Sequence, residues 1–235
     1  MATILLVAAD RMEFDGLVRR VGCERLDWPV DFACATRHGG ALLLMAANGA
    51  GPRLAAEAVK AAFARETLDA VASVGYCGAL DASLRAGDIV AADRVLAPEI
   101  GESFPASSPL ANRRHVRGSI ISIDRFVQTA DEKRRLRDSG AVAVEMEAAG
   151  VARETRGFGL PFVCVRVVTD EAEEGFSIDY NAVRDAEGRF RKGQLVRSAF
   201  RHPWRAFPEV LGLYQRARRA SDLLGEFIAD CKFHV

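Results

Sequence analysis

The chain predicts an α/β fold, a three-layer α/β/α arrangement around a central mixed, largely parallel sheet. Short apolar runs alternate with segments of helical period along most of its length. Several of those runs are apolar on both faces, as strands covered on two sides must be. Acids and glycines also recur just after the runs, at the sheet edge where ligands bind in such folds.

Thr3 to Ala8 is a β-rich apolar run, and a helix is expected from about Met12 to Arg20. Phe32 to Thr36 and Ala41 to Ala46 are short strands separated by the turn signal His38-Gly39-Gly40. Asn48-Gly49-Ala50-Gly51-Pro52 then permits tight backbone geometry and suits a helix start. In the helix that follows, Leu54, Ala55, Ala58, Val59, Ala62 and Phe63 share one face. Leu68 to Gly75 is the next buried strand, and another opens at Gly87 and runs through Val95.

Ser103 to Arg114, polar and proline-bearing, is expected to be a mobile loop. Gly118 to Ile123 reads as a strand, Asp131 to Arg137 as a charged helix and Ala141 to Val144 as a short buried strand. That last strand runs into Glu145-Met146-Glu147 and a helix to about Arg156, which Gly157 and Gly159 stop. Phe162 to Val168 is an almost wholly apolar strand delivering Thr169-Asp170 at its end.

At 235 residues the chain suffices for one sizeable domain over 1–235, with an atypical segment at 171–235. Thirty-two basic residues balance thirty-two acidic ones, which gives no general attraction to nucleic acid. The first residues read as a strand and lack the pattern of a targeting leader. No run approaches the roughly 18 apolar residues of a membrane span, so a cytoplasmic location is expected. Five cysteines without a CxxC argue against a disulfide framework or zinc ribbon, and four scattered histidines against a metal site. No metal or cofactor is expected.

Glu147 falls at the start of a helix, where the dipole favours a carboxylate by about 0.3–1 kcal/mol and helps keep it ionised. An ionised carboxylate on a rigid element can accept hydrogen bonds from a diol such as ribose. Spacing alone equally fits an ordinary acid-rich helix start, and Asp170 equally fits a helix N-cap. The company is what separates these readings: Glu13 follows the first strand, Gly75 to Gly78 another, Phe126 a third, and Glu145, Glu147 and Asp170 follow two more.

This combination resembles the nucleoside phosphorylase and nucleosidase family, which includes the methylthioadenosine/S-adenosylhomocysteine nucleosidases. The resemblance runs from about Thr3 to Asp170 and is carried by Glu13, by SVGYCGALDASLRAGDIV at Ser73 to Val90, by the segment around Phe126, by AVEMEA at Ala143 to Ala148 and by VRVVTD at Val165 to Asp170. It implies that Glu147 holds the ribose hydroxyls and that Met146 packs against the sugar. It further implies that Asp170 serves purine N7 and that Phe126, with Val127 beside it, stacks on the base. Tyr76, Cys77 and Gly78 then belong to the glycine-rich loop passing sugar and base, and Glu13 positions the water of the hydrolytic branch. Glu145 has the least defined part.

Cleaving a ribosyl C–N bond asks for these residue types, because its oxocarbenium-like transition state needs an acid at the leaving base and anionic help near the sugar. Asp170 must then be partly buried for its pKa to rise toward neutrality. A phosphorylase must instead bind phosphate, the co-substrate in that branch, usually with arginine and backbone donors. The resemblance places Ser73 and Tyr76 where hexameric purine phosphorylases carry an arginine and a serine, which leans toward water. Arg53 and the Tyr76 hydroxyl keep the phosphorylase alternative open, and a non-catalytic nucleoside- or lipid-binding protein is the alternative of another class.

Between Arg184 and Arg219 ten basic residues face three acids, interleaved with Phe190, Leu195, Val196, Phe200, Trp204 and Phe207. The mixture suits either a docked helix with a solvated charged face or a peripheral membrane surface. In character it resembles the hopanoid-associated branch of the family, which implies a substrate such as adenosylhopane. Val210, Leu211, Tyr214, Ala217, Leu224 and Ile228 form one stripe expected to dock on the sheet. The resemblance also implies a homo-oligomer.

Overall fold

In the computed structural model, which describes residues 1–109, 111–177, 179–184 and 203–232, one mixed sheet carries every strand. Its strands are β1 (Thr3–Ala8), β2 (Glu24–Arg25), β3 (Phe32–His38), β4 (Ala41–Ala47), β5 (Ala70–Ala79), β6 (Ile89–Ala97), β7 (Glu102–Pro105), β8 (Val116–Ser122), β9 (Ala143–Glu145) and β10 (Phe162–Asp170). Among the described residues five α-helices accompany them: α1 (Asp15–Val21), α2 (Pro52–Phe63), α3 (Ala130–Arg137), α4 (Ala148–Gly157) and α5 (Pro203–Asp230).

β5 organises the sheet. One of its edges pairs in parallel with β10 along most of its length, from Val71 opposite Phe162 to Gly78 opposite Asp170. The other edge is shared, with β1 pairing in parallel as far as Ser73 and β9 pairing antiparallel from Gly78. Because β10 also pairs with β6, β6 with β8 and β8 with β9, the strands β5, β10, β6, β8 and β9 close into a ring. The edge of β5 between Ser73 and Gly78 is a fork between β1 and β9.

Helices cover both faces, as expected from strands apolar on two sides. α2 and α4 pack on one face over Val7, Ala46, Val71 and Cys164. α1 and α5 pack on the other over Leu6, Met45, Val74 and Val165. The α1–α5 crossing is close enough to exclude a methyl group. A Cβ at Gly16 would lie 2.0 Å from the carbonyl oxygen of Ser221, and one at Gly225 would lie 2.3 Å from the Gly16 carbonyl carbon. The Gly16 amide donates to Ser221 Oγ at 2.9 Å across the same contact. Gly225→Ala should therefore destabilise the protein by about 1–3 kcal/mol, the usual cost of overpacking, seen as a lower denaturation midpoint in urea with unchanged slope.

Three expectations change. Ser103 to Arg114 is in part a strand, β7, hydrogen-bonded to β6, and Ser107 bridges Val163. The strand expected to end at Gly75 continues to Ala79, so Tyr76, Cys77 and Gly78 lie within β5 rather than in a loop after it. Gly75, at φ 148°, allows the strand to bend there and go on. The docked face of α5 is Ala220, Leu224, Phe227 and Ile228, whereas Leu211 and Tyr214 are 47% and 52% exposed. Ser221, Asp222 and Glu226, in the later turns of α5, meet α1.

Arg189, Arg191, Lys192, Arg197 and Arg201, with Phe190, Leu195, Val196 and Phe200, lie outside the described residues. Among the described residues no helix is long and apolar enough to cross a membrane.

Candidate active site

Glu13, Tyr76, Cys77, Gly78, Phe126, Val127, Glu145, Met146, Glu147 and Asp170 all line one cavity of about 180 Å³. It occupies the fork in β5, and Ala9, Arg125, Val144 and Thr169 complete its wall. Among the described residues the single basic side chain in that wall, Arg125, is ion-paired with Glu132.

Glu13 sits in the turn after β1, where Asp10 caps the short 3-10 helix Arg11–Phe14. Glu13 Oε2 accepts from the amides of Ala9 at 2.7 Å and Asp10 at 3.0 Å, and Oε1 accepts from the amide of Tyr76 at 3.0 Å. Reaching that amide requires Gly75, because a Cβ there would lie 2.6 Å from Oε1. The carboxylate therefore fills the gap in the β5 ladder that the fork leaves open. Burial pushes its pKa up, against the opposing pull of the backbone donors and Arg166.

Glu145 and Glu147 flank the junction between β9 and α4. Glu145 Oε2 accepts from the amides of Glu147 at 2.9 Å and Ala148 at 2.8 Å, so it is Glu145 that satisfies the helix start. The same oxygen is ion-paired with Arg166, whose side chain is wholly buried within β10 and also donates to Ser73 Oγ at 2.7 Å. This leaves Glu147 free of capping duty. Its Oε1 accepts from the amide of Gly51 at 3.0 Å, and among the described residues no donor is bonded to the remaining oxygen. Burial, then the neighbouring Glu145, push its pKa up to about 8, which outweighs the helix-dipole effect expected from its position. Glu147 thus leans toward its protonated form, in which it can both donate to and accept from a diol.

Asp170 ends β10. Its Oδ2 accepts from Lys133 Nζ at 2.5 Å, and its Oδ1 accepts from Thr169 Oγ1 at 2.9 Å. Gly78 gives it room, since a Cβ there would lie 2.8 Å from Oδ2. Burial raises the pKa of Asp170 while the Lys133 ammonium opposes the rise. No N-capping by Asp170 is seen, because β10 is followed by turns and not by a helix.

Phe126 rests on two other rings, with centroids 5.1 Å from Phe176 and 4.9 Å from Tyr180. Asn181 clamps its backbone, accepting from the Phe126 amide and donating to the Phe126 carbonyl, each at 2.8 Å. The Tyr76 ring lines the cavity, but its hydroxyl donates to the Ala217 carbonyl of α5 at 2.9 Å. Arg53 pairs with Glu57 at 2.6 Å and lines a separate cavity. Both side chains are thus engaged with other protein groups.

Lys133, Arg166 and Asn181 are the residues that the sequence reading missed. Arg166 carried a signal, a lone charge inside an apolar strand that must find a partner. Among the described residues no group of three or more His, Cys, Asp or Glu side chains is placed to hold a metal ion.

Residues 105–199 match the model of the phosphorylase superfamily. A 5′-methylthioadenosine/S-adenosylhomocysteine nucleosidase of Staphylococcus aureus is 30% identical over 141 residues, 48% of this chain and 62% of that protein. The aligned part is thus less than two thirds of the relative's length. An S-adenosylhomocysteine nucleosidase of Streptococcus pyogenes, solved with 5-methylthiotubericidin, superposes with a TM-score of 0.72 at 18% identity, covering 99% of this chain and 98% of that one. The futalosine hydrolase of Helicobacter pylori superposes with a TM-score of 0.71 at 16% identity, covering 97% and 95%. The chain is thus similar to the phosphorylase superfamily over residues 105–199 and shares the fold of these nucleosidases and of the hydrolase.

Proposed function

We propose that the protein hydrolyses the N-glycosidic bond of an adenine nucleoside modified at C5′. The observation that carries this reading is the carboxyl-lined cavity at the fork of β5, where the Glu13 carboxylate already occupies the Tyr76 amide. Its neighbouring cations, Arg125, Arg166 and Lys133, are each paired with a carboxylate. Such a wall offers a phosphate dianion only cations already paired, while the Glu13 carboxylate favours the cationic sugar of an oxocarbenium-like transition state. The nucleosidase relatives support the same choice.

In this reading Phe126 stacks on the base and Met146 packs under the sugar, while Glu147 engages the ribose hydroxyls. Asp170 donates a proton to the base as the C–N bond lengthens. Glu13, with its pKa raised by burial, orients a water and takes its proton as the water adds to the anomeric carbon. The products are free adenine and the 5′-modified ribose.

The test is chromatography of adenine released from 5′-methylthioadenosine, S-adenosylhomocysteine and a 5′-alkyl adenosine of long chain, with and without phosphate. Release independent of phosphate, with free ribose as co-product, is expected. A phosphate requirement with a ribose 1-phosphate product would replace hydrolysis by phosphorolysis. Asn181→Ala, which frees the backbone of Phe126, should raise KM roughly fivefold with kcat little changed, because a stacking contact of about 1 kcal/mol is shared by ground and transition states.

A further inference from the structure

The charged helix α3 contributes one side chain to the interior of the site. Lys133 is 1% exposed, and its ammonium donates to Asp170 Oδ2 at 2.5 Å and to the Glu171 carbonyl at 2.6 Å. Its Nζ also lies 5.8 Å from the centre of the Phe176 ring, one of the rings supporting Phe126. A buried lysine with two short hydrogen bonds, both to β10 and the residue after it, is too costly to be an incidental contact.

We infer that Lys133 is a positioning residue for Asp170: it fixes the carboxyl group at the base side of the cavity and sets the pH at which that group holds its proton. With Oδ2 held by Lys133 and Oδ1 by Thr169, the carboxyl plane has no freedom to rotate. As the base leaves, Asp170 gives its proton to the base nitrogen, and the carboxylate left behind stays paired with the Lys133 ammonium. The other charged group acting on Asp170 is Glu174, which Arg216 of α5 holds at 2.7 Å, and across on β5 the neutral Cys77 thiol faces it. Among the described residues Lys133 is therefore the one cation bonded to the acid.

The catalytic half of this inference rests on the nucleosidase reading, and the electrostatic half does not. The experiment follows the Asp170 carboxyl by infrared difference spectroscopy, assigned with Asp170→Asn, in the wild type, Lys133→Met and Lys133→Arg, alongside the pH profile of adenine release. Removing an ammonium in contact with a carboxyl should raise its titration midpoint by about 1–3 pH units in Lys133→Met, and Lys133→Arg should return most of that shift. The alkaline limb of kcat should move up by the same amount, with kcat at its plateau down about tenfold or more and KM within about threefold. An unmoved carboxyl midpoint in both variants overturns the inference, whatever the activity. A moved midpoint with an unmoved limb and unchanged kcat also overturns it, because Lys133 would then not serve catalysis. If the wild type releases no adenine while the midpoint moves, the nucleosidase reading fails and the positioning of Asp170 stands.

Discussion

Asp170→Asn should lower kcat for adenine release by roughly 10²–10⁴-fold, the usual contribution of a positioned general acid, with a much smaller change in KM. The amide keeps the shape of the carboxyl and its acceptor for Lys133 while removing the transferable proton. The substitution has a second effect that the same preparation reveals. Lys133 would keep its ammonium inside the protein without a counter-ion, a change that costs about 3–5 kcal/mol when it breaks a buried pair. Activity and thermal midpoint should therefore fall together. If kcat stayed within tenfold of wild type, Asp170 would not be the acid, however much stability was lost.

The second large effect concerns Arg166. Its guanidinium is wholly buried, and Glu145, also wholly buried at its side chain, is its ionic partner. Arg166→Met should strand that carboxylate in the core and cost about 3–5 kcal/mol, a drop in the thermal midpoint on the order of 10 °C for a chain of this size. The double substitution Arg166→Met with Glu145→Gln removes both charges while leaving an acceptor for the Glu147 and Ala148 amides. It should recover at least half of the loss. Calorimetry of the two variants checks this, and equal destabilisation in both would mean that packing around Arg166 matters more than charge.

These two ion pairs mark the limit of what could be read from the chain. Strands such as Thr3–Ala8, Ala41–Ala47 and Phe162–Asp170 were legible nearly to the residue, because burial on both faces demands uninterrupted apolar side chains. The cavity residues were legible because acids and an aromatic follow such strands. Lys133 was not, since in ADEKRRLR four cations look alike and only the docking angle of α3 decides which one turns inward. Gly16 and Gly225 were silent for a related reason, as nothing local says that two helices from opposite ends of the chain must touch there. Glu145 seemed the idle acid of its pair. Its task is to anchor a helix and a buried guanidinium, which releases Glu147 for a ligand.

The fork in β5 has a consequence for how the cavity comes to exist. Between Ser73 and Gly78 one side of the strand has lost β1 and not yet met β9, so the main chain itself presents unladdered edge at the protein's centre. The opening is thus a seam in the connectivity of the sheet rather than a hollow carved by small side chains. Trading individual wall residues can retune what the seam admits, but closing it would require rewiring which strands are neighbours. A site of this origin tolerates wide sequence change around it, and it can persist in chains that share little else.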